Sequence, residues 1–464
     1  MKKLKFPTAQ TILILIAVLV TILTWFVPAG KYDSLAYNAE KNSFTKISIG
    51  ESVELPATQG TLEGLGIKIP IEKFINGDIY KPIGIPNTFK KMEAQPQGFS
   101  ALVQSPIKGI IAAADIIFLI LIIGGLIGIM NLTGAFNAGI SWMAKVLKGR
   151  EYILIIAVTT LIALGGTTFG LAEETMAFYP ILIPVFLAAK YDAMVGLSCV
   201  FLGSSIGTMC STVNPFATII ASDAAGINWT TGLNNRIIML LLCTTITIVY
   251  ILRYAKKVKA DPSKSIIYDQ KENIEHLFGL DSMNTNVKFT HRLRLIIGII
   301  ARIKESDFVD AFAKGAADLL SVAFIVGIAR GVTILMEDGL ISDTILFYAS
   351  NITEDMHKGV FANVMLFIYG GLSFFMPSSS GMAVLTMPIF SPLADTVHIG
   401  REIIVDTYQY GMGLFHLINP TGLILAALAI VKIGFNRWLR FVIPLMLILV
   451  LATMIFLTVS VYTN

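Results

Sequence analysis

Two glutamates stand side by side in the stretch GGTTFGLAEET, residues 165–175, within otherwise apolar sequence. An ionisable group at the centre of a bilayer costs roughly 2.5–3.5 kcal/mol on insertion scales, so Glu173 and Glu174 need a purpose. A polar cavity that attracts a cation supplies one, and the cation could be Na+, H+ or a substrate amine. The plainer alternatives are a pair with a hidden Lys or Arg, or a cap on the helix that starts near Glu173. A second polar stretch, Ser378-Ser379-Ser380-Gly381, offers hydroxyls and no charge, which suits a carboxylate or a partly dehydrated ion. The third signal is a repeated Asn-Pro break. Asn214-Pro215 is surrounded by Thr208, Ser211 and Thr212, and Asn419-Pro420 by His416 and Thr421. A broken membrane helix exposes carbonyls at one half's end and N–H groups at the other's start, giving a cation site and an anion site together. A lone proline kink is usually satisfied by neighbouring Ser and Thr. Two kinks, each following a polar turn, favour a site. Acid at one turn and hydroxyls at the other fit a substrate with a cationic end and a carboxylate, such as an amino acid.

The elements that carry these residues must be membrane helices. The chain has 464 residues, 55% of them hydrophobic and 14% charged, with a mean hydropathy of +0.73. That is well above an ordinary soluble domain. The apolar runs at 8–27 and 441–461 each match the length of about 20 residues that crosses a bilayer core. MKKLK at the start places the amino terminus in the cytoplasm by the positive-inside rule. The first run is long for a signal peptide and is followed by TWFVPAGKY rather than a cleavage site, so residues 1–27 are expected as a retained first transmembrane helix. Three cysteines, Cys199, Cys210 and Cys243, all fall in apolar segments and read as buried thiols rather than a disulfide framework.

Residues 28–105 form a long extracytoplasmic loop region of mixed charge. Within residues 106–253, a first repeat, two apolar pieces (Tyr152–Leu164 and Met176–Ala189) are each too short to span. They predict a re-entrant hairpin over 152–189, followed by a broken helix at 194–222. Residues 254–304 are a polar, cation-rich cytoplasmic connector. Residues 305–440 repeat the pattern, with a hairpin at 359–390 and a broken helix at 403–430, and 441–464 form the last transmembrane helix. The repeat is legible in register: with Asp115 laid on Asp318, Gly124 meets Gly327 and Gly128 meets Gly331. Gly165-Gly166 then answers Gly370-Gly371, and Asn214-Pro215 answers Asn419-Pro420. The acidic loop before the second hairpin, set against Lys432, Arg437 and Arg440 after the second broken helix, makes the halves inverted in topology. The expected fold is an all-α polytopic membrane protein of two inverted repeats, each with a re-entrant helical hairpin and a broken transmembrane helix.

One segment breaks the pattern. Leu293–Lys304 has too short an apolar core to cross where the repeat wants a helix pair, so a pair is suspected missing near residues 296–301. Asp115, Asp318 and Arg330 read as structural, with Asp115 and Asp318 close to helix starts. A rival from another class is an intramembrane serine protease using Ser380 and His416 as a dyad. It lacks the glycine two before the serine and leaves the duplication unexplained. No HExxH or paired-Cys spacing suggests a metal enzyme, and a channel fits inverted hairpins less well than a carrier.

The motifs GTTFGLAEETMAFYPILIP, FIVGIARGV and FMPSSSGMAVLTMPI together resemble the YfcC branch of the C4-dicarboxylate anaerobic carrier family, within the ion transporter superfamily, over most of the chain. The resemblance implies an inner-membrane secondary transporter, often a homodimer, moving a small molecule and binding no nucleic acid. It places Thr167, Thr168, Asn214, Ser379, Ser380, Asn419 and Thr421 around substrate and coupling ion. With the residues read above, the substrate candidates become Glu173, Glu174, Thr167, Thr168, Asn214, Ser379, Ser380, Gly381, His416, Asn419 and Thr421. The coupling-ion candidates are Gly166, Thr212, Ser378, Asn214 and Asn419, for Na+ or H+, with no other cofactor. The branch is described as a basic amino acid antiporter, which matches the two glutamates. A C4-dicarboxylate carrier is the runner-up, and it would need Arg or Lys at the hairpin turns, where the sequence offers none.

Overall fold

A computed structural model describes residues 7–132, 149–278, 304–353 and 356–463. The suspected helix gap near 296–301 lies outside the described residues. Six helices among them are long and apolar enough to cross a membrane: α1 (Ala9–Phe26), α4 (Tyr152–Phe169), α8 (Leu233–Ala260), α11 (Leu320–Asp338), α13 (Lys358–Phe375) and α17 (Phe435–Thr463). A bent pair, α2 (Phe99–Ala112) and α3 (Ala114–Leu132), meets the same test jointly, with a 67° bend. The protein is a multi-pass, predominantly helical membrane protein.

The same order of elements occurs twice. The first set is the bent pair α2–α3, then α4, a turn, α5 (Phe178–Ala188), α6 (Ala193–Met209), a break, α7 (Ile220–Ala224) and the long α8. The short helix α9 (Lys271–Leu277) belongs to the connector. The second set is α10 (Glu305–Asp318) and α11, α12 (Ser342–Ile352), then α13, a turn, α14 (Ser379–Thr396), α15 (Arg401–His416), a break, α16 (Ile424–Val431) and the long α17. Packing pairs the sets crosswise: α2 lies on α11 and α3 on α10. The crossings are made by glycine. A Cβ added at Gly109 would come 2.1 Å from the Gly327 carbonyl oxygen, and one at Gly315 would come 2.2 Å from that of Gly124. Small residues allow this close approach, which in lipid replaces the missing hydrophobic drive between helices.

One expectation differs from what is observed. The first arm of each hairpin is not a half-length piece. Both α4 and α13 run 18 residues, straight through Gly165-Gly166 and Gly370-Gly371. Packing overrides propensity here, because Gly166 sits against Ser204 and Gly207 of α6, where a side chain would collide with backbone. Asp115 lies in the first turn of α3, and Asp318, the last residue of α10, stands just before the Leu319 cap of α11, so both are close to helix starts as expected. All three cysteines are free and buried.

Residues 28–98 are more than a loop. A four-stranded antiparallel sheet, in the order β4 (Glu51–Pro56), β3 (Ser43–Ser48), β2 (Ser34–Asn38), β5 (Ile83–Gly84), packs against two short helical turns. Leu35, Phe44, Leu62, Phe74 and Ile83, all nearly inaccessible, continue the buried core of the helices into the sheet. A separate ribbon pairs β1 (Gly30–Lys31) with β6 (Lys90–Lys91). This β-domain is fastened to both sets of helices. Tyr32 N–H donates to Asp343 Oδ2 at 3.0 Å, Lys73 pairs with the buried Asp223 at 3.1 Å, and Lys68 pairs with Asp395 at 3.0 Å.

Asp395 also receives Arg401, at 2.6 Å. Those Arg401 hydrogen bonds, with Lys68 adding to them against the opposing cost of burial, hold the Asp395 carboxyl down at about 2. Its depressed value contributes stability that is complete above about pH 4, where an unfolded aspartate is ionised, and is lost as pH falls towards 2. Backbone exchange in β5 and the adjacent end of α14 is therefore expected to rise between pH 4 and pH 2. The rise should be much smaller in Asp395→Asn, which has already lost the charge. Equal rises in the two proteins would exclude the ion pair as the cause.

Candidate functional site

The most buried helices are the broken ones. Sixteen of the seventeen residues of α6 are buried, and so is every residue of α15 from Ile403 to Leu414. A helix hidden on all sides marks the centre of a bundle. The two cross directly, with Gly413 of α15 against Met209 of α6.

At the first break the chain leaves α6 at Cys210, and Asn214 caps the following turn by accepting from the Phe216 N–H at 2.8 Å. The Asn214 amide reaches back to the Gly166 carbonyl of α4 at 3.5 Å. Thr167 completes the clasp: its hydroxyl donates to Cys210 O at 3.1 Å, lies 3.1 Å from the Thr212 hydroxyl and accepts from the Thr212 N–H at 2.9 Å. The turn after α4 closes through Gly170, whose φ is +71° and whose Cα faces Asn214 so closely that a Cβ would stand 2.7 Å from its Oδ1. Only glycine suits both conditions.

The second break is built alike. Asn419 Nδ2 donates to Ser373 O of α13 at 2.8 Å, and its Oδ1 accepts from the Thr421 N–H and hydroxyl at 2.9 and 2.7 Å. The Thr421 hydroxyl also lies 2.9 Å from Phe374 O. In each half an asparagine from the break thus ties its helix to the hairpin arm. The first break is tied to the body of α15 by a residue the sequence reading passed over. Gln409 of α15 donates to the Thr218 hydroxyl at 2.6 Å, and Thr218 bonds Ser211 O at 2.9 Å. A glutamine inside DTYQYGMGLFH was the available signal.

The remaining candidates divide. Glu173 is half-buried in the turn of 3-10 helix that follows Ala172, with Glu174 and Asp115 close enough to act on it electrostatically. Glu174 is exposed and accepts from the Ala172 N–H at 3.2 Å. Thr168 turns away from the break and bonds Leu164 O of its own helix at 2.6 Å. Ser378 caps α14 by accepting from the Gly381 N–H at 3.2 Å, and the Ser379 carbonyl accepts from the Tyr408 hydroxyl at 2.8 Å. His416 ends α15 with its Nε2 buried and unpartnered. The buried hydroxyl of Ser380 bonds Lys81 Nζ at 2.7 Å, not His416. That contact corrects two expectations at once: the partner the protease dyad needs is displaced, and the second turn does have a cation. Sequence could not show it, because Lys81 is 299 residues away, in the β-domain.

Comparison with known proteins follows the same outline. The family model described as C4-dicarboxylate anaerobic carrier matches residues 6–300 and 291–462. An uncharacterized protein of Haemophilus influenzae is 40% identical over 99% of this chain and 98% of its own. That alignment runs to 497 residues, longer than this chain, so the relative has residues at places where this chain has none. An Escherichia coli protein named "Putative basic amino acid antiporter YfcC" is 26% identical over 94% of this chain and 92% of its own. Among solved structures, the YdaH transporter of Alcanivorax borkumensis is 13% identical over 99% of both chains, with a TM-score of 0.43. Neisseria gonorrhoeae MtrF is 14% identical over 99% of this chain and 96% of its own, with a TM-score of 0.41.

Proposed function

The chain belongs to the C4-dicarboxylate anaerobic carrier family, a family of transporters rather than enzymes, and from that premise we propose that it carries amino acids with a basic side chain across the inner membrane. Transport proceeds by antiport or cation coupling, with alternating access between two inverted halves and the amino terminus in the cytoplasm. The observation that carries the substrate is the first turn. Glu173 sits half-buried beside Glu174 and Asp115, and among the described residues no Lys or Arg stands within ion-pair distance of it. An uncompensated acidic group at such a place favours a cationic ligand. The crosswise packing of the bent pairs and the two matching asparagine clasps support the inverted arrangement. Substrate and coupling ion, Na+ or H+, are assigned to the space around Asn214, Thr167, Thr212 and Gly166 on one side and Asn419, Thr421 and Ser378–Gly381 on the other. Breaking a helix there leaves carbonyl lone pairs for a cation and N–H groups for a carboxylate. Two copies of the chain form the functional unit.

The C4-dicarboxylate reading has one observation in its favour, the cation Lys81 at the second turn. Counterflow into proteoliposomes loaded with arginine, ornithine, lysine or succinate separates the two. Arginine, ornithine and lysine should exchange, and succinate should not. Glu173→Gln is expected to raise the half-saturation for arginine about tenfold, the scale of one lost charge-assisted hydrogen bond. Glu174→Gln, exposed and bonded to its own turn, should change it less. Succinate exchange without arginine exchange would transfer the assignment to dicarboxylates. Imposed Na+ and pH gradients identify the coupling ion.

A further inference from the structure

The second turn, Pro377 to Gly381, contains no charged residue, and the β-domain supplies one. Lys81 lies two residues before β5, the strand that packs along α14. Its ammonium is thereby carried to the first turn of α14, 2.7 Å from the hydroxyl of Ser380, a residue only 8% exposed. Arg330 of α11 is close enough to act on that ammonium electrostatically. Burial, with the Arg330 charge adding to it, holds the Lys81 ammonium below the ordinary lysine range. Among the described residues neither cation is within ion-pair distance of a carboxylate. The acid that acts on Arg330, Glu337, lies about two turns further along the same helix.

Such a grouping is unfavourable by itself. The Ser380 hydroxyl and the Tyr80 ring, 5.6 Å from the ammonium, are its partners among the described residues; neither carries a negative charge, and the Arg330 guanidinium adds repulsion. The start of α14 directs further N–H groups to the same spot, which again favours an anion. A planar carboxylate could meet the ammonium, the serine hydroxyl and the helix start together with charge-assisted hydrogen bonds. We propose that Lys81, delivered by the β-domain, is a binding residue for the carboxylate of the transported substrate, with Ser380 beside it and Arg330 reinforcing the field. The inference rests on the carrier reading above and assigns the opposite end of the substrate from Glu173.

The test uses ligands that differ only in that group. Thermal stabilisation of the purified full chain is measured with arginine against agmatine, its decarboxylated analogue, and with succinate against succinamide. Lys81→Gln, Lys81→Arg and Lys68→Gln are compared with the unaltered protein. In Lys81→Gln the concentration of carboxylate ligand needed for half-maximal stabilisation should rise about tenfold or more, and that of the uncharged or decarboxylated analogue should not move. Lys81→Arg should restore most of the difference. Lys68→Gln cuts another tie between the β-domain and α14, so it should leave the ratio unchanged. Equal shifts for arginine and agmatine would assign Lys81 to a structural tether and overturn the proposal. So would an unshifted response to carboxylates, or no stabilisation by any carboxylate. Stabilisation by succinate without arginine would retire the basic amino acid reading alone, and the succinate pair would then decide the role of Lys81.

Discussion

Asp406→Ala is expected to destabilise the protein by about 3–5 kcal/mol, the cost of leaving one member of a buried ion pair without the other. Asp406 of α15 and Arg236 of α8 are each 1% exposed, with Nε and Oδ1 3.7 Å apart. Backbone holds only part of the guanidinium: Nη2 donates to Trp229 O and Thr231 O, while Nε and Nη1 have no hydrogen-bond partner. Removing the carboxylate therefore leaves the buried guanidinium without its ion-pair partner, with Glu402, one turn earlier on α15, as the remaining acid nearby. The double replacement Arg236→Met with Asp406→Leu removes both charges at similar volume and should recover most of the loss. Thermal unfolding of detergent-solubilised protein measures both. A single variant within about 1 kcal/mol of the parent, or a double variant no better than the single, would mean that the pair is not what stabilises this crossing.

The second large effect is expected at Gly109. Valine there would drive its Cβ to within 2.1 Å of Gly327 O and 2.4 Å of Gly331 N, and backbone cannot move aside as a flexible side chain can. The helices α2 and α11 would have to separate, at a cost beyond the usual overpacking penalty of about 1–3 kcal/mol. Folded protein recovered from membranes should fall to a small fraction of the parent. Gly371→Ala is the control: nothing lies within 4 Å of a Cβ there, and in a helix the change is neutral or stabilising. Equal yields from the two variants would show that the crossing tolerates separation.

Much of this architecture was legible because its signals are local. Asn214-Pro215 and Asn419-Pro420 read as breaks, and the helices do end at Met209 and His416, with helical structure resuming at Pro215 in the first and at Ile424 in the second. Each break asparagine also donates to a carbonyl of the preceding hairpin arm, Gly166 O and Ser373 O, although the internal register lays Gly166 on Gly371 and so offsets the two partners by two positions. What escaped was set by packing across the chain. The glycine pairs at 165–166 and 370–371 read as turn signals, yet each lies inside a helix, and the first serves close approach to α6. The β-domain escaped because its strands are short and of mixed polarity, without the clean alternation of a half-buried sheet. Lys81 escaped with it, since no spacing along the chain relates it to Ser380. The candidate site was thus readable where its parts are neighbours in sequence, and silent where one module reaches into another.

The ribbon that opens and closes the β-domain has its own implication. Gly30 lies opposite Lys91 and Lys31 opposite Lys90, so the segment enters and leaves through adjacent backbones. Folded units whose ends meet in this way behave as inserts, which can be excised or exchanged without straining the chain on either side. Everything between Tyr32 and Phe89 could therefore be grafted out with a short linker while α1 and α2 keep their places, and specificity could be altered through this module while the helical machinery is left as it was.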